Sequence, residues 1–319
     1  MIITRTKLYA TIHDMIQKIL SFIYRHTFHD WKKPRGKIIY IARRNVDNVG
    51  LFSYFITFLG EIAFADRNGM LPVIDMQTWP NTYLYDNETG KVNAWEYYFE
   101  QPAGISIEEA LKGDNTIIIA NDTIHDWPEI SAKLFRKETY KLDYWRSVCK
   151  KYIRLTQPVL EKLERMTAKY QDRKILGVLV RGTDYAALKP KGHPIPPTAE
   201  QAIAKTKEAM TEHDFDAVYL ATEDKNIMLK FHEAFGEKLL LPESDYINYD
   251  YDKPKYLSQI QTSREKDKYL RGLEYLVSML FLSRCAGFIT SITSGSVGLM
   301  CFTERDFEYL YVFDLGVYL

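Results

Sequence analysis

The chain has 319 residues, 46% hydrophobic and 26% charged, so global disorder is excluded and the length suits two domains. Its 42 basic residues cancel its 42 acidic ones, which argues against a chain-wide surface for nucleic acid and leaves only a local basic pocket open. Cys149, Cys285 and Cys301 are far apart, lack metal-type spacing and read as reduced, mostly buried thiols.

Residues 1–35 read as a helical extension. Leu8, Ile12, Met15, Ile16, Ile19, Phe22 and Ile23 keep helical spacing, and Lys7, Lys18, Arg25, Lys32, Lys33 and Arg35 add positive charge. His13, Asp14, Gln17, Lys18, Arg25 and His26 break the apolar stretches. No segment of about 20 residues is therefore fit to span a membrane, and nothing resembles a secretory signal. The expectation is a cytoplasmic protein. The stripe can face its own domain or the inner face of a membrane. No dense run of Lys and Arg flanks it, which favours the domain and leaves weak peripheral membrane contact as the alternative.

Residues 37–42 form a short apolar run, read as a buried strand, and 43–50 a polar turn. A helix over 51–68, stopped by Gly69, and a strand over 71–75 complete a βαβ unit, which predicts a parallel sheet. A short helix over 106–111 and a strand over 116–120 follow. Helices fill 143–170, broken at Gln157-Pro158. A second α/β run then has strands at 174–180, 217–221, 287–290 and 309–313. Its helices are predicted at 198–212, 226–235, 269–284 and 296–302. Long polar loops fill 181–197 and 242–263, the latter rich in tyrosine. Two such halves predict twin Rossmann-like domains facing a cleft, over residues 36–150 and 151–319.

Chemistry concentrates at predicted strand ends, where open parallel sheets bind ligands. Arg181, Gly182, Thr183 and Asp184 follow the strand at 174–180. Arg181 can fork onto a phosphate, with Gly182 allowing close backbone approach, or pair structurally with Asp184. Thr222, Glu223 and Asp224 follow the strand at 217–221; they suit a ribose, base or sugar hydroxyl, or simply a helix N-terminus. Ser294, Gly295 and Ser296 open a helix whose free N–H groups suit an anion, although N-capping explains much of that pattern. No Walker sequence and no G-x-G-x-x-G is present, which disfavours a dinucleotide oxidoreductase. Asp214-Phe-Asp216 and Asp250-Tyr-Asp252 match a metal-binding D-x-D pattern but lie away from strand ends, so no metal is expected. His193, in a proline-rich loop, is a candidate base or acceptor-side group, or simply an exposed loop histidine.

These residues carry a resemblance. Val178-Leu-Val-Arg181-Gly-Thr183-Asp184 resembles the H-x-R-R-x-D motif of the fucosyltransferase superfamily, with Leu179 at the His and Gly182 at the second Arg. Val218-Tyr-Leu-Ala-Thr222-Glu223-Asp224 and Leu282-Ser-Arg-Cys-Ala-Gly-Phe-Ile-Thr-Ser-Ile-Thr-Ser-Gly-Ser296 resemble later segments of that group. The stretch from Asn48-Val-Gly50 to Asp75 resembles its acceptor-domain opening. Agreement is good over residues 170–300, loose over 37–75 and absent over 1–35.

The resemblance implies a GT-B-like fold: an acceptor-side domain over 36–150 and a nucleotide-sugar domain over 151–319. It implies transfer of fucose from GDP-fucose to a glycan hydroxyl, with inversion and without metal or cofactor, in a polysaccharide-building setting. Arg181 would then hold the β-phosphate and Asp184 would brace it. Thr222, Glu223 and Asp224 would line the nucleotide pocket, and Ser294, Gly295 and Ser296 would donate to the diphosphate. Glu274 or Ser278 would stand near guanine. The base is open between His193, Asp184 and first-domain residues such as Asp47 or Asp75, because Lys189 sits where some family members place a carboxylate. The departures at Leu179 and Gly182 keep two alternatives: another donor such as GDP-mannose, or a non-catalytic sugar-nucleotide or glycan-binding protein.

Overall fold

In the first half, β1 (Ile38–Arg43), β2 (Leu71–Asp75) and β3 (Thr116–Asn121) form a parallel sheet in the order β2-β1-β3. Residues 36–135, 141–244, 249–260 and 262–319 are described in this computed structural model. The predicted extension over 1–35, with its membrane alternative, lies outside them. The middle of β1 is an unbroken apolar run because both its faces are covered, as expected of a parallel sheet. Ile41 registers with Val73 on one side and with Ile119 on the other.

Helix α1 (Leu51–Arg67) links β1 to β2 and is buried over most of its length. An amphipathic surface helix would expose one face. Here the opposite face meets the second half of the chain. A short α2 (Ile107–Ala110) carries a capping box built by Ser106 and Glu109. Then come α3 (Ala132–Phe135), α4 (Lys141–Tyr152) and α5 (Gln157–Lys169). Pro158 sits in the first turn of α5, where its missing N–H does no harm, so the predicted break is a helix start.

The second sheet runs β6-β5-β4-β7-β8, all parallel. Its strands are β4 (Ile175–Leu179), β5 (Ala217–Ala221), β6 (Leu239–Leu240), β7 (Gly287–Ser291) and β8 (Tyr309–Phe313). Between them lie α6 (Thr183–Leu188), α7 (Ala199–Glu212), α8 (Lys225–Phe235), α9 (Asp267–Leu282) and α10 (Ser294–Phe302). Helix α6 corrects the loop expected over 181–197. Six residues are too few for a helical period to show, yet the Ala186 N–H reaches the Gly182 carbonyl at 2.7 Å, and left-handed Lys189 (φ 47°) ends the turn. β6 was also unforeseen; two residues give no alternation to read.

One apolar core crosses the halves. It joins Tyr40, Phe52 and Phe55 to Leu276, Val297 and Met300. Gly298 lets α10 lie against Phe52, since a Cβ there would meet the ring at 2.2 Å. The cysteines are free and buried, as read from their spacing. Among the described residues no helix is long and apolar enough to cross a membrane.

Candidate active site

β4 and β5 are neighbours, with Leu179 registered opposite Ala221, so the segments that leave them emerge side by side. This brings together two motifs about 40 residues apart in sequence. The Thr183 hydroxyl donates to Glu223 at 2.7 Å. Arg181 pairs with Asp184 at 3.4 Å and lies 4.3 Å from the centre of the Tyr185 ring. Burial opposes the charge on Arg181, but Asp184 and Glu223 outweigh it and hold the guanidinium firmly protonated. Its Nε is buried with no hydrogen-bond partner among the described residues. An unpaired buried donor is expensive and marks a place for a ligand acceptor. Burial pushes the Glu223 carboxyl above its usual range, although Arg181 and the Thr183 hydroxyl pull it down.

Asp184 is 1% exposed. Besides Arg181 it accepts the backbone N–H of Tyr185 at 2.9 Å and of Leu257 at 3.2 Å. Gly182 is needed for packing: a Cβ would meet Ile227 of α8 at 2.6 Å. Asp224 is fully buried and caps α8 through Asn226 N–H at 2.7 Å, while the Tyr251 hydroxyl donates to its other oxygen. Thr222 is buried beside it and accepts the Asp224 N–H at 3.3 Å. Thr222 and Asp224 thus shape the β5 end and present little to a ligand.

The other candidate anion-binding element is the start of α10. Thr293 is its N-cap and forms a capping box with Ser296. The Ser296 hydroxyl turns inward to the Ser291 carbonyl at 2.8 Å, so it is spent on the backbone. Ser294 is half-buried, and the N–H groups of Ser294 and Gly295 have no partner among the described residues. Above Gly295 stands Tyr275, whose Oη would lie 2.3 Å from a Cβ at that position.

In the first half of the chain, Asn48 (φ 57°) and Gly50 are exposed on the β1–α1 turn. The Asn48 carbonyl accepts the Ser258 hydroxyl at 3.2 Å. The stretch around 251–258 therefore bridges Asp224, Asp184 and Asn48, joining both halves over the site. Arg271 supports it by donating to the carbonyls of Leu257 (3.2 Å) and Ile260 (2.6 Å). Glu274 is engaged by Arg264, one guanidinium nitrogen donating to both its oxygens at 2.9 and 3.1 Å. Ser278 is buried against β5, sharing a 2.9 Å hydrogen bond with Tyr219.

The candidate bases separate clearly. Asp184 has its oxygens occupied. So does Asp75, buried and bound by Arg43 (2.5 Å) and by the Gln77 and Thr78 N–H groups (both 3.0 Å). His193 is exposed and meets the edge of Tyr185 at 5.2 Å; its loop is pinned to the C-terminal tail by the Gly192 N–H to Tyr318 O bond of 2.8 Å. Asp47 is exposed on the β1–α1 turn. Neither D-x-D match gathers ligands: Asp216 accepts the Lys174 N–H at 2.6 Å and Asp250 the Asp252 N–H at 3.0 Å. Among the described residues no cluster of His, Cys, Asp or Glu is placed to hold a metal. Sequence reasoning passed over Tyr185, Tyr275 and Leu257. Tyr275 falls between the two α9 residues it did choose, so helical phase was the available signal.

Two parallel α/β sheets whose carboxyl ends meet at an interdomain site define a GT-B-like fold. Solved fucosyltransferases share it. NodZ α-1,6-fucosyltransferase co-crystallised with GDP aligns over 83% of this chain and 92% of its own, at 13% identity and a TM-score of 0.51. POFUT1 in complex with GDP aligns over 87% and 98%, at 11% identity and a TM-score of 0.54. A variant of FUT1 from Arabidopsis thaliana, also with GDP, aligns over 92% and 74%, at 10% identity and a TM-score of 0.51. No family model matches the sequence, and no curated protein matches it.

Proposed function

We propose that the chain is an inverting, metal-independent glycosyltransferase that moves fucose from GDP-fucose to a hydroxyl of a glycan acceptor. The observation that carries this reading is Arg181: a partly buried cation whose Nε has no partner among the described residues, at a parallel strand end, in a fold shared with GDP-bound fucosyltransferases. The free N–H groups at the start of α10 supply a second source of positive potential.

In this reading the acceptor hydroxyl attacks the anomeric carbon and the carbon–oxygen bond to the diphosphate breaks. Negative charge grows on the departing phosphate, where Arg181 and the α10 N–H groups stabilise it. No metal is required for that task. The acceptor proton passes to His193 or Asp47, the two candidate bases whose side chains are open to solvent.

Calorimetry with GDP, UDP and CMP, followed by assay of GDP release from GDP-fucose, tests the proposal. GDP-selective binding with slow GDP release from the sugar nucleotide is expected. Failure to bind GDP overturns it. GDP binding without turnover of any GDP-sugar assigns the chain to sugar-nucleotide binding instead.

A further inference from the structure

Tyr275 projects from α9 toward the carboxyl ends of the second sheet. It is half-buried, and its hydroxyl has no hydrogen-bond partner among the described residues. One ring edge packs on Phe52 of α1, with centroids 5.5 Å apart and planes at 83°. Its Oη hangs over Gly295, in the first turn of α10, beside the two open N–H groups.

We infer that Tyr275 donates a hydrogen bond to the terminal (β) phosphate of the bound nucleotide, completing a pocket with Arg181 and the N–H groups of Ser294 and Gly295. The inference rests on the nucleotide-sugar reading above and adds a residue to it. Three observations converge. A phenol with no protein partner is set against open helix N–H donors, so one anion can satisfy all of them. Gly295 has an ordinary backbone conformation, so its missing side chain is explained by the room Tyr275 needs. Tyr275 also senses the charges of Arg181 and Glu223.

The chemistry suits a donor. Burial raises the phenol, Arg181 lowers it, and Glu223 and Tyr185 raise it again, to about 12. The group therefore keeps its proton at neutral pH. It can hydrogen-bond a phosphate oxygen and stabilise charge as the sugar departs, and it is unsuited to take the acceptor proton.

Tyr275→Phe removes only the hydroxyl and keeps the ring on Phe52. In the full chain it should unfold at nearly the wild-type temperature. GDP affinity should fall about tenfold or more, the range for a hydrogen bond to a charged group, while GMP affinity stays unchanged. GDP release from GDP-fucose should slow in step. Gly295→Ala, which crowds Oη, should weaken GDP in the same direction. Equal GDP affinity for wild type and Tyr275→Phe overturns the inference and leaves the proposed function standing. Equal loss for GDP and GMP moves the hydroxyl away from the terminal phosphate and also overturns it. A wild-type chain that binds no GDP refutes the proposed function itself.

Discussion

Arg181 is a counter-charge to Asp184 and, in the proposed reading, also a ligand group, and the two roles separate experimentally. Arg181→Ala leaves Asp184, 1% exposed, and Glu223 near one another without their shared cation. Breaking a buried pair costs about 3–5 kcal/mol. The Arg181 side chain is 29% exposed, so solvent screens part of this and about 2 kcal/mol remains. At roughly 1.5 °C per kcal/mol for a chain of 319 residues, the melting temperature should fall by about 3 °C. The loss should depend on pH. Burial already raises Glu223 above its ordinary 4.5 against the pull of Arg181. A carboxyl raised on folding contributes stability that is present below its ordinary value and lost as pH rises through the raised one. Removing Arg181 raises it further, so the deficit should widen from pH 5 to pH 8. Arg181→Lys should recover most of the melting temperature but little GDP affinity, because a point charge cannot fork onto two oxygens. Thermal melts across that pH range, with and without GDP, read both effects. An alanine deficit equal at pH 5 and pH 8 refutes the counter-charge argument. Unchanged GDP affinity in both variants refutes the ligand role.

Turnover should survive EDTA, since in the proposed reading Arg181 and helix N–H groups meet the diphosphate; loss restored by Mn²⁺ restores the metal-dependent reading. His193→Ala should cut turnover by about 10²–10⁴-fold with GDP affinity near wild type, whereas near-normal turnover moves the search for the base to Asp47. Gly60→Ala should destabilise by about 3 kcal/mol in a denaturant melt: a Cβ there would lie 1.8 Å from the Asp126 carbonyl, and backbone cannot yield as a side chain does. A loss below about 1 kcal/mol would show that the 126–127 segment moves freely away from α1.

The sequence alone determined the alternation of strand and helix, because apolar runs and helical periods are local properties of a chain buried by layers. It also set candidate polar groups just after the strands. Arg181, Glu223 and Ser294 each follow a legible strand, and parallel strands bring their carboxyl ends to one edge. Tertiary structure decided what each side chain is free to do. Ser296, Asp224 and Asp184 look like ligand groups in sequence, yet each is consumed by a cap, a turn or an ion pair. Gly182 and Gly295 look alike as small residues, but the first makes room for Ile227 and the second for Tyr275. Tyr275 itself is one tyrosine among 23 in the sequence. Only the packing of α9 between the second sheet, α1 and α10 leaves its hydroxyl over a helix N-terminus with no partner among the described residues. Hydrogen-bond satisfaction depends on neighbours distant in the chain, and a local pattern carries no record of them.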